Sequence, residues 1–240
     1  MPALTDAALA AHSAGPSRRD ARVALVAGVV GRQGEALLGA VLARGGYTRV
    51  HVLSEAPMAL GIDRLELCAL ENLPRVDDVL MLVGQGNDPG ERSFHGRDAP
   101  FVQLTGAQAP RVAAAASAAG ARRLLLIRPS PAWQQLGELQ RALGGADELA
   151  LAQLPFESVL IVRPVRIGGA PGGDWLRRLV NAYMSVQFLM TPKSIPTLTS
   201  DQVARAALQA FGPTVPGIRV MLARQLAELL EPAATAGASR

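Results

Sequence analysis

Three glycines spaced three residues apart, Gly28, Gly31 and Gly34, stand between the apolar run Arg22–Ala27 and a stretch of helical spacing, Glu35–Arg44. Glycine at these places suits one chemistry. Gly28 permits a tight turn out of a strand, Gly31 lets the backbone approach a pyrophosphate, and Gly34 lets the helix pack close to the sheet. The helix that follows offers N–H groups and a partial positive charge to phosphate oxygens. The competing reading is a tight strand-to-helix turn that holds no ligand. Glu55 falls 21 places after Gly34, where the next strand ends. A carboxylate there can hydrogen-bond an adenosine ribose 2′-OH and repel a 2′-phosphate. Arg32, inside the glycine loop, pulls the other way, because a guanidinium pairs with such a phosphate. The first signal favours NAD and the second NADP; NAD is carried forward, against a competing reading of Glu55 as a plain exposed acid.

Few other residues offer chemistry. Of the three histidines, His12 lies near the start, His51 inside a strand run, and His95 in the polar, glycine-rich loop Gly84–Pro100. Only His95 is placed to reach the mouth of a cleft, and an exposed loop histidine explains it as well. The adjacent acids Asp77 and Asp78 precede a strand and read as a turn at the opposite end of the sheet. No His, Cys, Asp or Glu set has metal-ligand spacing. No G-x-S-x-G elbow or phosphate-binding G-x-x-x-x-G-K-[ST] exists, which excludes the common hydrolase and nucleoside-triphosphatase readings.

The elements that position the glycine loop follow from runs of apolar residues. Arg22–Ala27, Arg49–Leu53, Leu65–Leu67, Asp77–Val83, Arg123–Ile127, Ser158–Val162 and Ile218–Leu222 read as strands. Helical stretches at Glu35–Arg44, Ala109–Ala119, Asp174–Phe188, Asp201–Phe211 and Ala223–Leu230 alternate with them. Continuous apolar strands separated by helices predict an α/β, doubly wound parallel sheet covered on both faces. Ligands of such sheets sit beyond the strand C-termini, where the strand order reverses. The spacing predicts one domain over 21–230, between a flexible arm over 1–20 and a flexible tail over 231–240.

Composition narrows the function classes. With 49% hydrophobic and 18% charged residues, the 240-residue chain can bury a real core, which excludes disorder over most of it. Of 24 basic residues only Lys193 is a lysine, and the arginines are scattered singly and in pairs. With nine aromatic residues and no basic run, no nucleic-acid partner is predicted. No uncharged stretch reaches the ~20 residues a spanning helix requires, and Met1–Ala14 has no basic start, so neither membrane nor secretion is predicted. The single cysteine, Cys68, excludes an internal disulfide. The expectation is a soluble, cytoplasmic protein. Leu179–Met190 is apolar on nearly every face and reads as core, as a cover over a substrate pocket, or as a homo- or hetero-oligomer contact.

At this point the sequence resembles the atypical branch of the short-chain dehydrogenase/reductase superfamily, the NmrA-like and Tat-interacting-protein-like oxidoreductases. The stretch Gly28–Gly34 is similar to the NmrA-type loop. Asp78–Gly84 resembles the fourth strand, whose terminal glycine lies along the cofactor, and Gly120–Ile127 the fifth. Val162-Arg163-Pro164 resembles the Arg-Pro that ends the sixth. Asp174–Leu176, Ser194–Pro196 and Asp201–Ala204 are similar to the family's C-terminal substrate-side segments. The resemblance implies a Rossmann fold with a small C-terminal substrate-side segment and an NAD(P) dinucleotide as partner. Loop and resemblance together assign Gly28, Val30, Gly31, Arg32, Gln33, Gly34, Glu55, Val83 and Gly84 to cofactor binding.

The chain departs from the family where proton transfer takes place. Typical members are served by a Tyr-x-x-x-Lys pair and a Ser or Thr after the fifth strand, the lysine lowering the tyrosine pKa so that it acts as a general acid. Here placement by Arg163-Pro164 puts Gln140 and Gly144 at the paired positions. The fifth strand runs into Arg128-Pro129-Ser130, where Ser130 is either a displaced remnant or a turn serine. Tyr183 and Lys193, ten apart, are a remote substitute, and a core tyrosine and a loop lysine explain them more simply. Val29 and Val30 also stand where the family carries small or hydroxyl residues. The catalytic residues are unassigned. The resemblance implies a nucleotide-binding or sensing protein without the usual turnover, or alternatively an oxidoreductase of a small carbonyl or alcohol with another proton donor.

Overall fold

The computed structural model describes residues 22–55, 64–84, 101–130, 145–165, 196–212 and 214–231. The segments read as arm, tail, Asp174–Phe188 helix and Leu179–Met190 contact lie outside these, apart from Glu231. So do His12, His95, Gln140, Gly144, Tyr183, Lys193 and all but the first residue of the loop Gly84–Pro100.

Seven strands form one sheet: β1 (Arg22–Ala27), β2 (Tyr47–Leu53), β3 (Leu65–Cys68), β4 (Asp78–Leu82), β5 (Arg123–Ile127), β6 (Ser158–Arg163) and β7 (Gly217–Leu222). Their order is β3-β2-β1-β4-β5-β6-β7, and every pairing is parallel. This is the doubly wound Rossmann arrangement, with the order reversing between β1 and β4. Among the described residues five α-helices accompany it: α1 (Gly31–Arg44), α2 (Ala109–Ala118), α3 (Ala146–Ala152), α4 (Ser200–Phe211) and α5 (Ala223–Leu230).

Alternation along the strands splits the core in two. Ala24, Val26, Leu80, Leu82, Leu125, Ile127, Leu160 and Val162 point to one face, where Leu37 and Val41 of α1, Val203 and Ala207 of α4, and Leu226 of α5 cover them. Leu25, Val79, Met81, Leu124, Leu126 and Ile161 point to the other, under Val112, Ala113 and Ala116 of α2 and Leu151 of α3. Because both faces are covered, central strands read as unbroken apolar runs.

Several expectations shift in detail. β2 begins two residues before the expected Arg49, because the Tyr47 ring is buried against the sheet. Helix α1 begins at Gly31, so two of the loop glycines belong to its first turn. Helix α3 was not anticipated at all. Asp78 is no turn residue. It is the first residue of β4, wholly buried, and Arg123 of β5 grips it through Nε to Oδ1 at 2.7 Å and Nη2 to Oδ2 at 2.6 Å. The Tyr47 hydroxyl donates to Asp78 Oδ2 at 2.8 Å. Burial first, then the Asp78 charge and this hydrogen bond, push the Tyr47 phenol well above its ordinary pKa. Arg123 also lies over the Phe211 ring at 4.5 Å and donates to the carbonyls of Phe211 and Gly212, which ties the end of α4 to the sheet. Asp77 accepts from the Val23 amide at 2.8 Å.

Candidate functional site at the C-terminal edge

Gly28 leaves β1 with φ +83°, and a Cβ there would lie 2.0 Å from the Leu82 carbonyl oxygen of β4. Only glycine meets both demands. Gly31 also has positive φ, +74°. Gly34 sits on the inner side of α1, where a Cβ would be 2.3 Å from the Val29 carbonyl carbon. The close approach it allows is therefore to the loop's own backbone, not to the sheet as the sequence suggested.

Val29 is buried in the core cluster with Leu37 and Val41, so its side chain packs inward beneath α1. Val30, also buried, precedes α1 in extended conformation (φ −88°, ψ 137°) and supplies no side-chain cap. No acidic residue stands in the first turn of α1. Helix α4 differs. Thr199 Oγ1 accepts from the Gln202 amide at 3.3 Å, and Gln202 Oε1 accepts from the Thr199 amide at 2.9 Å, a complete capping box. An N-terminus whose N-cap residue brings no side-chain acceptor, at the point where the sheet order reverses, has the features of an anion site.

The other assigned residues surround this turn unevenly. Arg32 is exposed and Gln33 half-buried on the first turn of α1. Arg32 lines a groove of ≈ 1140 Å³ that runs between α1 and α4, with Glu35, Ser200, Asp201 and Arg205. Glu55 is exposed one residue beyond Ser54, which pairs with Phe101 after the end of β2. The Val83 amide donates to the Ile127 carbonyl at 2.9 Å and the Gly84 amide to the Leu104 carbonyl at 3.0 Å. Both amides are thus committed within the protein, and what Gly84 offers a ligand is bare backbone.

Ser130 is no turn serine. It is buried, bridges to Val165 in parallel register, and its amide donates to the Pro164 carbonyl at 2.9 Å. The β5–β6 ladder continues past Pro129 and carries Ser130 with it. Sequence reasoning also missed a charged cluster at this edge. Glu148 of α3, 1% exposed, pairs closely with Arg163 at the end of β6, and Arg128 stands near Asp147 and Glu148. The available signal was an acid pair, Asp147-Glu148, opening an otherwise apolar helix.

Two further titratable residues, His51 and Cys68, belong to the scaffold. His51 of β2 is buried, with Nδ1 3.6 Å from Glu66. Burial lowers its pKa and the nearby Arg49 adds to this, while Glu66 opposes them. Cys68 is a free, buried thiol at the end of β3; burial, then the Glu66 charge, push it up to about 11. Among the described residues no group of three or more His, Cys, Asp or Glu is gathered to hold a metal, and no helix is long and apolar enough to cross a membrane.

No protein-family model matches the chain, and no curated protein matches it. Solved structures do. The enzyme WbmH of Bordetella bronchiseptica, crystallised in complex with NAD+, shares 15% identity at a TM-score of 0.50 over 82% of this chain and 74% of that one. WbmG of the same organism, in complex with NAD, matches at 16% identity and TM-score 0.43, covering 90% of each chain. A short-chain dehydrogenase/reductase-family oxidoreductase of Burkholderia thailandensis matches at 19% identity and TM-score 0.46, covering 86% of this chain and 93% of that one. The likeness to WbmH establishes a common Rossmann fold; the site has to be argued from this chain's own residues.

Proposed function

We propose that the chain is an atypical short-chain dehydrogenase/reductase-like protein that binds a nicotinamide dinucleotide at the C-terminal edge of the sheet. One observation carries the reading: the Gly28–Gly34 turn places the N-terminus of α1, whose N-cap residue Val30 supplies no side-chain cap, at the reversal between β1 and β4, with Val29 packed away beneath it. The residues fit a diphosphate. Backbone around Val30, Gly31 and Arg32 would hold it, with Gln33 beside it and Gly34 keeping α1 seated. Gly28, Val83 and Gly84 would form the floor, and Glu55 would meet the adenosine ribose. When bound, the group supplies hydride chemistry.

NAD is favoured over NADP. Glu55 stands exposed beyond β2, while Arg32 lines the groove toward α4, where Asp201 offers it an opposite charge. The proposed role is that of a nucleotide-binding or sensing protein without the family's usual turnover. Of the two tyrosines, Tyr47 is committed to Asp78 at the opposite edge of the sheet. Buried there, and with its pKa raised, it is no proton donor for this edge.

Thermal unfolding with NAD+, NADH, NADP+ and NADPH tests the reading. A ligand at about 100 times its Kd stabilises the fold by ~2.7 kcal/mol. A clear rise in Tm is expected, larger for the non-phosphorylated pair. No shift with any of the four at millimolar concentration overturns the proposal.

A further inference from the structure

Arg128 follows β5 directly, and its amide donates to the Val162 carbonyl at 2.9 Å. It stands beside the end of β4, since Val83 is tied to Ile127. The guanidinium lies near two carboxylates without bonding to either: Nη1 is 3.7 Å from Glu148 Oε1 and 3.9 Å from Asp147 Oδ2. These distances are ion pairs, too long for hydrogen bonds. Glu148 makes its close pair with Arg163 instead. Among the described residues the Arg128 guanidinium donates no hydrogen bond, and 34% of the side chain is open to solvent. Glycines flank it: a Cβ at Gly106 or at Gly145 would lie 3.8 Å from its Nη2 or Nη1. The cation is therefore held in place by charge, and among the described residues its guanidinium makes no hydrogen bond.

A guanidinium so placed matches a planar carboxylate through two parallel N–H···O bonds. We infer that Arg128 recognises the carboxylate of a small organic acid bound at the C-terminal edge. The inference rests on the reading of that edge as the ligand edge, and it names the substrate class that reading left open. Asp147, 34% exposed, competes with the ligand for Arg128 and sets how tightly the acid is held.

The test is calorimetric titration of the full chain with oxalate, with and without NAD+. Arg128→Gln is expected to weaken oxalate binding about tenfold or more, the worth of one charge-assisted pair. Its NAD+ affinity should stay within about twofold. Asp147→Asn is expected to tighten oxalate binding, a gain that a merely structural role for the cluster does not produce. Equal oxalate binding by the wild type and Arg128→Gln, or no gain in Asp147→Asn, overturns the inference. Inorganic phosphate binding as tightly as oxalate overturns the carboxylate class. Should Arg128→Gln fail to fold, Asp147→Asn decides alone. Arg128-dependent oxalate binding in a chain that ignores all four dinucleotides would keep this inference and remove the proposed function.

Discussion

At the N-terminal edge of the sheet, polar groups consume one another. Asp78 receives two hydrogen bonds from Arg123 and one from Tyr47, and Arg123 Nη1 donates to the end of α4 and to Thr214 Oγ1. At the C-terminal edge, the N-cap residue of α1, Val30, supplies no side-chain cap, and Arg128 sits near two acids without a hydrogen bond to either. Burial explains the closed edge. Ionised groups removed from water survive only when fully paired, so the closed edge is a matter of stability. A guanidinium held by charge, with no hydrogen bond among the described residues, can meet something else. The contrast sets the scaffold apart from the proposed site within one sheet.

The sharpest way to break this contrast is Asp78→Ala. Removing one partner of a buried pair strands the other charge and costs about 3–5 kcal/mol. Urea denaturation should show that loss, while dinucleotide affinity of the folded fraction stays unchanged; altered affinity would mean the two edges communicate. Gly34→Ala should act in reverse. Forcing a Cβ against Val29 costs about 1–3 kcal/mol of stability. It should also displace the start of α1, so NAD+ affinity measured by calorimetry should fall by more than the stability loss leads one to expect. Glu55→Arg sharpens the reading of the ribose end. It should move preference toward NADP+ by roughly tenfold, or ~1.4 kcal/mol, with no change in Tm. An unchanged preference removes Glu55 from the site.

The smallest effect concerns His51. Its native pKa is lowered, so the unfolded chain takes up the proton first as the pH falls through about 6.5. Its contribution to stability is complete above that pH and is lost on acidification toward the lowered native value. Wild-type Tm should therefore fall more than that of His51→Gln between about pH 7.5 and about pH 5.5. Parallel curves would show that His51 contributes nothing to acid sensitivity.

The sheet was legible because its chemistry is local. A parallel strand covered on both faces is a run such as Leu124–Ile127, visible without knowing its neighbours. The glycine turn was legible for the same reason, since Gly28 and its strand are adjacent. The ionic clusters were not. Asp78 reads as a turn acid until Arg123, 45 residues on, and Tyr47, 31 residues back, are seen to meet it. Arg128, Asp147, Glu148 and Arg163 likewise come from three separate elements. Helix α3 is short and Gly145 before it provides no side-chain cap, so the acid pair Asp147-Glu148 in its first turn is the one mark of its start.

The buried thiol of Cys68 has a practical consequence. As the sole sulfhydryl, inside the edge strand β3 and protonated at neutral pH, it is shielded from alkylating reagents while the native fold persists. Iodoacetamide uptake, followed by mass, then becomes a clock for how often that margin of the sheet comes apart, and a bound dinucleotide that clamps the neighbouring strands would slow it.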